Sequence, residues 1–305
     1  MRYRIERVDR IDFSAPVREH HCEFRIAPWD DASQRLAGLE VVIDPDAGVG
    51  SHRDCFGNQV HRAALLGAHE RLAVHMTAEV QTLLANPFEF EPVPLVREAD
   101  WIADSLRQAP RLWDFVLHRS ALTPSLDAAA LSELAAGDEL AELGLPVWQS
   151  GVGLLMQMQA AADWVNAEFS HEPELAPAAS LDELLLRRSG AAADLAHLLV
   201  AVARSWRMPA RFVTGYLDPA YFQPDDDAPE GTAARPQTLH CWMETLIPGG
   251  GWRGFDAAHG LVADETYLRL AVGRDLRDVV GFRQSFKGDG QPDGLHTEID
   301  VHRLE

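Results

Sequence analysis

Cysteine is scarce in this chain, with only Cys22, Cys55 and Cys241 among 305 residues. An odd, sparse set offers no disulfide framework and fits a reducing compartment. Basic charge is also short: 27 Lys and Arg stand against 47 Asp and Glu, a formal net charge of -20. That balance favours solubility and argues against nucleic acid or an anionic membrane as a partner. No apolar run is long enough to span a bilayer. The opening residues Met1 to Val8 alternate polar and apolar as a strand does, without the apolar stretch of a secretory signal. A cytoplasmic location is expected. Metal-ligand spacings are missing too, since there is no Cys-x-x-Cys pair and no His-Glu-x-x-His element. The neighbours His20 and His21 read as a hairpin or surface pair, so neither a metal nor an organic cofactor is expected.

What is present is a globular composition, 47% hydrophobic and 24% charged, in a chain long enough for two ordinary domains. Residues 1–95 carry short alternating runs (Tyr3 to Val8, Cys22 to Ile26, Leu39 to Ile43, Gln59 to Ala63, Leu72 to Val80) broken by turn chemistry. Asp44-Pro45-Asp46-Ala47-Gly48 is one turn, and Phe56-Gly57-Asn58-Gln59 reads as a hairpin connection. A small antiparallel β-sandwich is the natural architecture. Prolines 87, 92 and 94 make a stiff linker over 86–100, and 96–150 reads as a helical connecting region, with the acidic, alanine-rich run 127–143 a solvated helix face.

From 151 to 305 the pattern is that of a second domain. Gly153 to Phe169 is amphipathic, with Leu154, Met158, Ala161, Ala162 and Val165 on one face. A helix starting at Gly190 carries Leu195, Leu198, Leu199, Val202 and Trp206, and Met208-Pro209 ends it. Strands follow at Arg211 to Leu217, Leu239 to Ile247 and, after the turn Pro248-Gly-Gly-Gly251, Trp252 to Asp256. A last strand is expected near Leu295 to Leu304. The glycine turn makes the second and third of these strands antiparallel neighbours, which would bring His240 and Asp256 together. A carboxylate that fixes a histidine tautomer serves a base beside a nucleophile, although such a pair also occurs as a structural hydrogen bond.

Several segments together resemble one family. Arg187-Arg-Ser-Gly-Ala-Ala-Ala-Asp-Leu-Ala-His197, followed by Met208-Pro-Ala-Arg-Phe-Val-Thr-Gly-Tyr-Leu217, is similar to the core of bacterial transglutaminase-like proteins. Leu239-His-Cys-Trp242, Gly254-Phe-Asp-Ala-Ala258 and Ala271-Val-Gly-Arg-Asp275 match further family segments. Phe13 to Val17 and Arg53 to Asn58 resemble the β-sandwich that precedes this core in bacterial members. The resemblance implies an α+β protein with a papain-like core and a Cys-His-Asp triad that acts on peptide or Gln-type amides through a thioester. Members are cysteine proteases, amidases or acyl transferases.

In the family the helix opens Gly-Val-Cys-x-Asp-Phe-Ala-His, so its cysteine aligns with Ala192. His240 and Asp256 take the other two places. Asp194 and His197 match the motif as supporting residues, Trp242 follows the histidine, and the backbone N–H of 192 would serve as an oxyanion donor. Trp164 is a candidate second donor against a competing reading as core. Ser189 or Gly190 suits the helix N-cap. Cys241 should point away from His240 on a strand and pack as a small hydrophobe.

Alanine at 192 is either a natural loss or a Cys→Ala replacement, and a chain without this nucleophile is expected to be inactive. Three readings stay open: a transglutaminase-like enzyme silenced at one atom, a pseudoenzyme that binds a protein partner as a scaffold, and a hydrolase in which His240 and Asp256 activate water directly. The substrate of the first would be a peptide or protein amide.

Overall fold

The computed structural model describes residues 1–126, 144–224 and 233–304, so the run 127–143 lies outside the described residues. Strand β1 (Arg2–Phe24) is 23 residues long. Tyr3, Ile5, Ile11 and Phe13 are buried in one phase of its alternation, as one face of a pleated strand requires. Arg7 and Asp9 share that phase. They are buried as a pair at 2.9 Å, and Thr297 donates to Asp9 at 2.6 Å.

β2 (Gln34–Asp44), β3 (Val49–Arg53), β4 (Gln59–Leu65) and β5 (His69–Thr82) complete an antiparallel order β2-β5-β1-β4-β3. β1 pairs with β5 as far as Asp12, slips register before Val17, and pairs with β4 from His20 onward. The two layers expected of a sandwich are thus the two halves of one curled sheet. In the β3–β4 hairpin, Asp54 accepts from the N–H groups of Phe56 and Asn58, and Gly57 takes the turn's positive φ of +92°.

α1 (Leu95–Gln108) starts directly after Pro94, where the proline linker expected over 86–100 overlaps the helical region expected over 96–150. α2 (Asp114–Leu117), α3 (Leu154–Glu168), β6 (Ser170–His171), α4 (Leu181–Arg187), β7 (Ser189–Gly190) and α5 (Ala192–Ser205) follow. Every residue of α5 from Ala193 to Arg204 is buried, the signature of a helix enclosed on all sides. It lies on a second antiparallel sheet built from β8 (Ala210–Leu217), β9 (His240–Ile247), β10 (Gly251–Asp256), β11 (Leu261–Val262) and β12 (Tyr267–Gly273). The order is β11-β10-β9-β8-β12. A helix packed on an antiparallel sheet is the α+β, papain-like arrangement expected, although the sequence reading did not find strand β12.

The outer edge of β12 is closed by side chains. Gln34 exchanges hydrogen bonds with both backbone groups of Arg269 at 2.8 and 3.0 Å, and Asn58 does the same for Val272 at 2.7 and 2.8 Å. Two amides from the curled sheet therefore mimic a strand and dock it on the core, leaving those edge groups paired.

The chain then returns. β13 (Phe282–Gly288) and β14 (His296–Leu304) both pair with β1. The strand expected near 295–304 exists, and it pairs with β1 in the first sheet. Among the described residues no helix is long and apolar enough to cross a membrane.

Candidate active site

Helix α5 begins without a capping side chain. Ala191 is the N-cap, not Ser189 or Gly190, and Asp194 in the first turn accepts from the Ala191 N–H at 3.0 Å. The same carboxylate accepts from Ala178 at 2.8 Å, which ties the helix start to the preceding loop. Gly190 is required here, because a Cβ would lie 2.8 Å from Asp194 Cβ and from Leu184 Cδ1. Asp194 thus positions the helix start, and Ala192 occupies the first helical turn.

β9 and β10 place the histidine and the carboxylate. Their last paired residues are Met243 and Phe255, so Asp256 lies one step further on, on the face that carries His240 and Trp242. His240 Nε2 is 2.7 Å from Asp256 Oδ2, and both side chains are buried. Nδ1 of His240 has no hydrogen-bond partner among the described residues. Trp242 lies under His240, its ring 6.4 Å away at an angle of 20°. Two glycines make room for that indole: a Cβ at Gly215 would meet it at 2.5 Å and one at Gly254 at 3.0 Å. Trp242 is thus a floor for the imidazole and is itself fully buried.

Asp256 serves more groups than the sequence suggested. His259 Nδ1 also reaches Oδ2 at 2.7 Å, and the Tyr267 hydroxyl donates to it at 2.8 Å. The N–H groups of Ala258 and His259 donate to Oδ1 at 2.9 and 3.4 Å. Burial alone would raise the Asp256 pKa, but the two histidines outweigh it and hold the carboxyl far below the usual range. Burial beside this carboxylate raises the Tyr267 phenol, so it remains a donor.

A third imidazole completes the cluster. β6 pairs in parallel with β7, setting His171 opposite Gly190 at the start of α5. Its ring is 6.4 Å from that of His240 and 5.8 Å from that of His259. Burial, followed by the charge of those two rings, lowers its pKa to about 4. The sequence reading missed both His171 and His259. The spacing Asp256-x-x-His259 at the end of a strand was the available signal, because a turn there folds the ring back onto the carboxylate.

The residues converge on a cleft of about 370 Å³ whose lining includes Ala191, Ala192, Ala193, His171, His240 and His259. Tyr221, Leu239 and Leu217 supply apolar wall, and Arg235 and Glu174 supply charge of both signs. Cys241 borders the cleft but packs with Ala193, Ala196 and Phe212, and burial pushes its thiol up to about 12, the reverse of an activated nucleophile. His197 accepts from the Leu276 N–H at 3.1 Å and stacks on Phe212. Burial lowers its pKa to about 3, so it is a neutral structural residue.

Trp164 is not brought to the site. It packs edge-on against Phe169 at 5.9 Å, with the core, and does not line the cleft. Asn166, two residues on and about 200° around the helix, instead ties α3 to the turn after Asp256, donating to Ala257 O at 2.8 Å.

Comparison with known proteins agrees with this layout. Residues 3–81 match the bacterial transglutaminase-like N-terminal region, and residues 153–257 match the transglutaminase-like superfamily. An uncharacterised protein of Mycobacterium leprae is 26% identical over 294 residues, covering 96% of this chain and 95% of its own. One from Mycobacterium tuberculosis is 23% identical, covering 100% and 93%. Among solved structures, a chain from Cytophaga hutchinsonii described as a candidate cysteine protease superposes with a TM-score of 0.66 at 21% identity, covering 100% of this chain and 92% of that one. At that identity the likeness speaks for the fold.

Proposed function

We propose, for a chain that belongs to the transglutaminase-like superfamily, that its cleft binds peptide-type amides and that Ala192 stands where the thiol nucleophile of a cysteine hydrolase or acyl transferase would stand. One observation carries this reading: the first turn of α5 and the Asp256-held His240 line the same cleft. A sulfur at 192 would be favoured as thiolate by the N–H groups and dipole of the helix start. It would form a C–S bond to an amide carbonyl carbon. His240, through the nitrogen not engaged by Asp256, would take the thiol proton and pass it to the leaving amine as the C–N bond breaks. Water would then hydrolyse the thioester, or an amine would accept the acyl group.

A methyl group performs none of these steps. Loss of a triad nucleophile costs on the order of 10⁶ in kcat in the subtilisin example, while the cleft that holds the amide remains. The chain as written therefore binds without turnover. Its three unpaired cysteines fit a reducing, cytoplasmic setting.

The test compares the parent chain with Ala192→Cys under iodoacetamide over a pH series, mapping the labelled residues. The parent should label at exposed Cys55 and hydrolyse no amide. The introduced thiol should label fastest, with an apparent pKa well below the ~8.5 of a free cysteine, and adding His240→Ala should remove that advantage. Labelling at 192 no faster than at Cys55 would overturn the proposal in favour of a scaffold that binds a protein partner.

A further inference from the structure

The geometry points to a divalent transition-metal site at the floor of the cleft, formed by His240 Nε2, His259 Nδ1 and Asp256 Oδ2, of the class that binds Zn²⁺. This does not depend on the amide reading. A base and its orienting carboxylate need one imidazole, whereas here two converge on the same carboxylate oxygen, each at 2.7 Å. The three ligand atoms all lie within 4.8 Å of one another. Two imidazoles and a carboxylate form a nitrogen–oxygen donor set suited to zinc and its neighbours, and unlike the all-oxygen sets of calcium or magnesium.

The surroundings suit a metal as well. Tetrahedral ligand atoms about 2.0–2.2 Å from zinc stand roughly 3.4 Å apart. Each nitrogen–oxygen pair, now 2.7 Å apart, must therefore open by about 0.7 Å as the ion replaces the shared protons. The N–H groups of Ala258 and His259 hold the other carboxylate oxygen, Oδ1, and the Tyr267 hydroxyl donates to the ligating Oδ2, the outer-shell support that ligating carboxylates use. Both ligand histidines line the cleft while Asp256 lies beneath them, so the open coordination position faces the cavity. The side chain at 192 adds no competing donor.

The experiment titrates the untagged full chain, stripped with chelator, with Zn²⁺ by calorimetry and with Co²⁺ by visible absorption. One equivalent of Zn²⁺ should bind with a micromolar or tighter Kd, and Co²⁺ should give a visible d–d band. His259→Gln and His240→Ala should each weaken Zn²⁺ at least about a hundredfold, and Tyr267→Phe about tenfold. His302→Gln, which removes an exposed histidine 3.0 Å from Asp300, should change nothing. His259 sits in a partly exposed turn, so its variant should fold. A zinc-induced rise in Tm in the parent that is absent in His259→Gln gives an independent readout. No binding in the parent, or binding that survives both His259→Gln and His240→Ala, overturns the site. The thiol labelling at 192 is read on chelator-stripped protein, where His240 stays free to pair with Asp256, so neither zinc outcome alters it and the two ideas fail separately.

Discussion

Two carboxylates on neighbouring strands of one sheet, Glu244 and Asp256, are each held by two cationic-type partners, yet they do different things. Glu244 lies between Arg211 and Arg269 at 2.5 and 2.7 Å, and Arg269 also reaches Asp31 at 2.6 Å. Arg211 stacks on Trp252 at 4.1 Å. Burial would raise the Glu244 pKa, but the guanidiniums hold it at about 2. Four residues away along β9, His240 faces Asp256, and the fully buried Trp242 stands between the two clusters. The partners of Glu244 are always charged and sealed from water. Those of Asp256 are imidazoles whose rings line a cleft. Buried charge alone therefore marks structure; titratable partners with an open side mark chemistry.

The largest effect that separates the clusters is expected at Glu244. Glu244→Ala leaves two buried guanidiniums without their carboxylate, and breaking such a pair from one side costs about 3–5 kcal/mol. Urea unfolding at neutral pH should show that loss, or the variant should not accumulate as folded protein. A loss below about 1 kcal/mol would place Glu244 with ordinary surface ion pairs.

Acid should separate the clusters next. His171 has a folded pKa near 4, below the unfolded value of about 6.5. The unfolded chain therefore binds more protons between these values, and stability must fall as pH drops from about 6.5 to 4. His197, at about 3, acts in the same direction and over a window extending lower. The Glu244 cluster acts lower on the scale, because its depressed pKa gives up stability as pH falls from the ordinary glutamate value of 4.5 towards 2. Urea midpoints from pH 7.5 to 4.5 should decline in the parent, with a slope reduced by up to about one proton in His171→Gln. An unchanged slope would mean that this ring is solvated in the folded chain.

Much of this layout was legible in residue order. Alternation marked β4 and β5, periodicity marked α3 and α5, and the Pro-Gly-Gly-Gly turn correctly joined His240 to Asp256. What escaped depends on contacts distant in sequence. β12 reads Tyr-Leu-Arg-Leu-Ala-Val-Gly, and its edge partners are amides more than 200 positions away. The return of β13 and β14 to β1 leaves no local trace. His171 and His259 were missed because a histidine on a two-residue strand or in a turn looks the same whether it faces water or a cluster of polar side chains. Trp164 packs against the core, as an aromatic residue near a motif usually does.

The smallest expected effect is the one that sharpens the contrast most. His259 has a side chain 24% exposed in a turn after β10, and its ring makes one direct hydrogen bond to Asp256. Were it a structural counterpart of Arg211, removing it would destabilise the fold as severely as Glu244→Ala. Asp256 keeps His240, Tyr267 and two backbone N–H groups without it, so the carboxylate stays satisfied. His259→Gln should therefore cost less than about 1 kcal/mol in urea unfolding at pH 7.5, within the usual net worth of one hydrogen bond. A loss of several kcal/mol would move His259 into the structural class. A small loss would mean that the second imidazole is held against the carboxylate at little benefit to the fold, which leaves the cleft as the place where it acts.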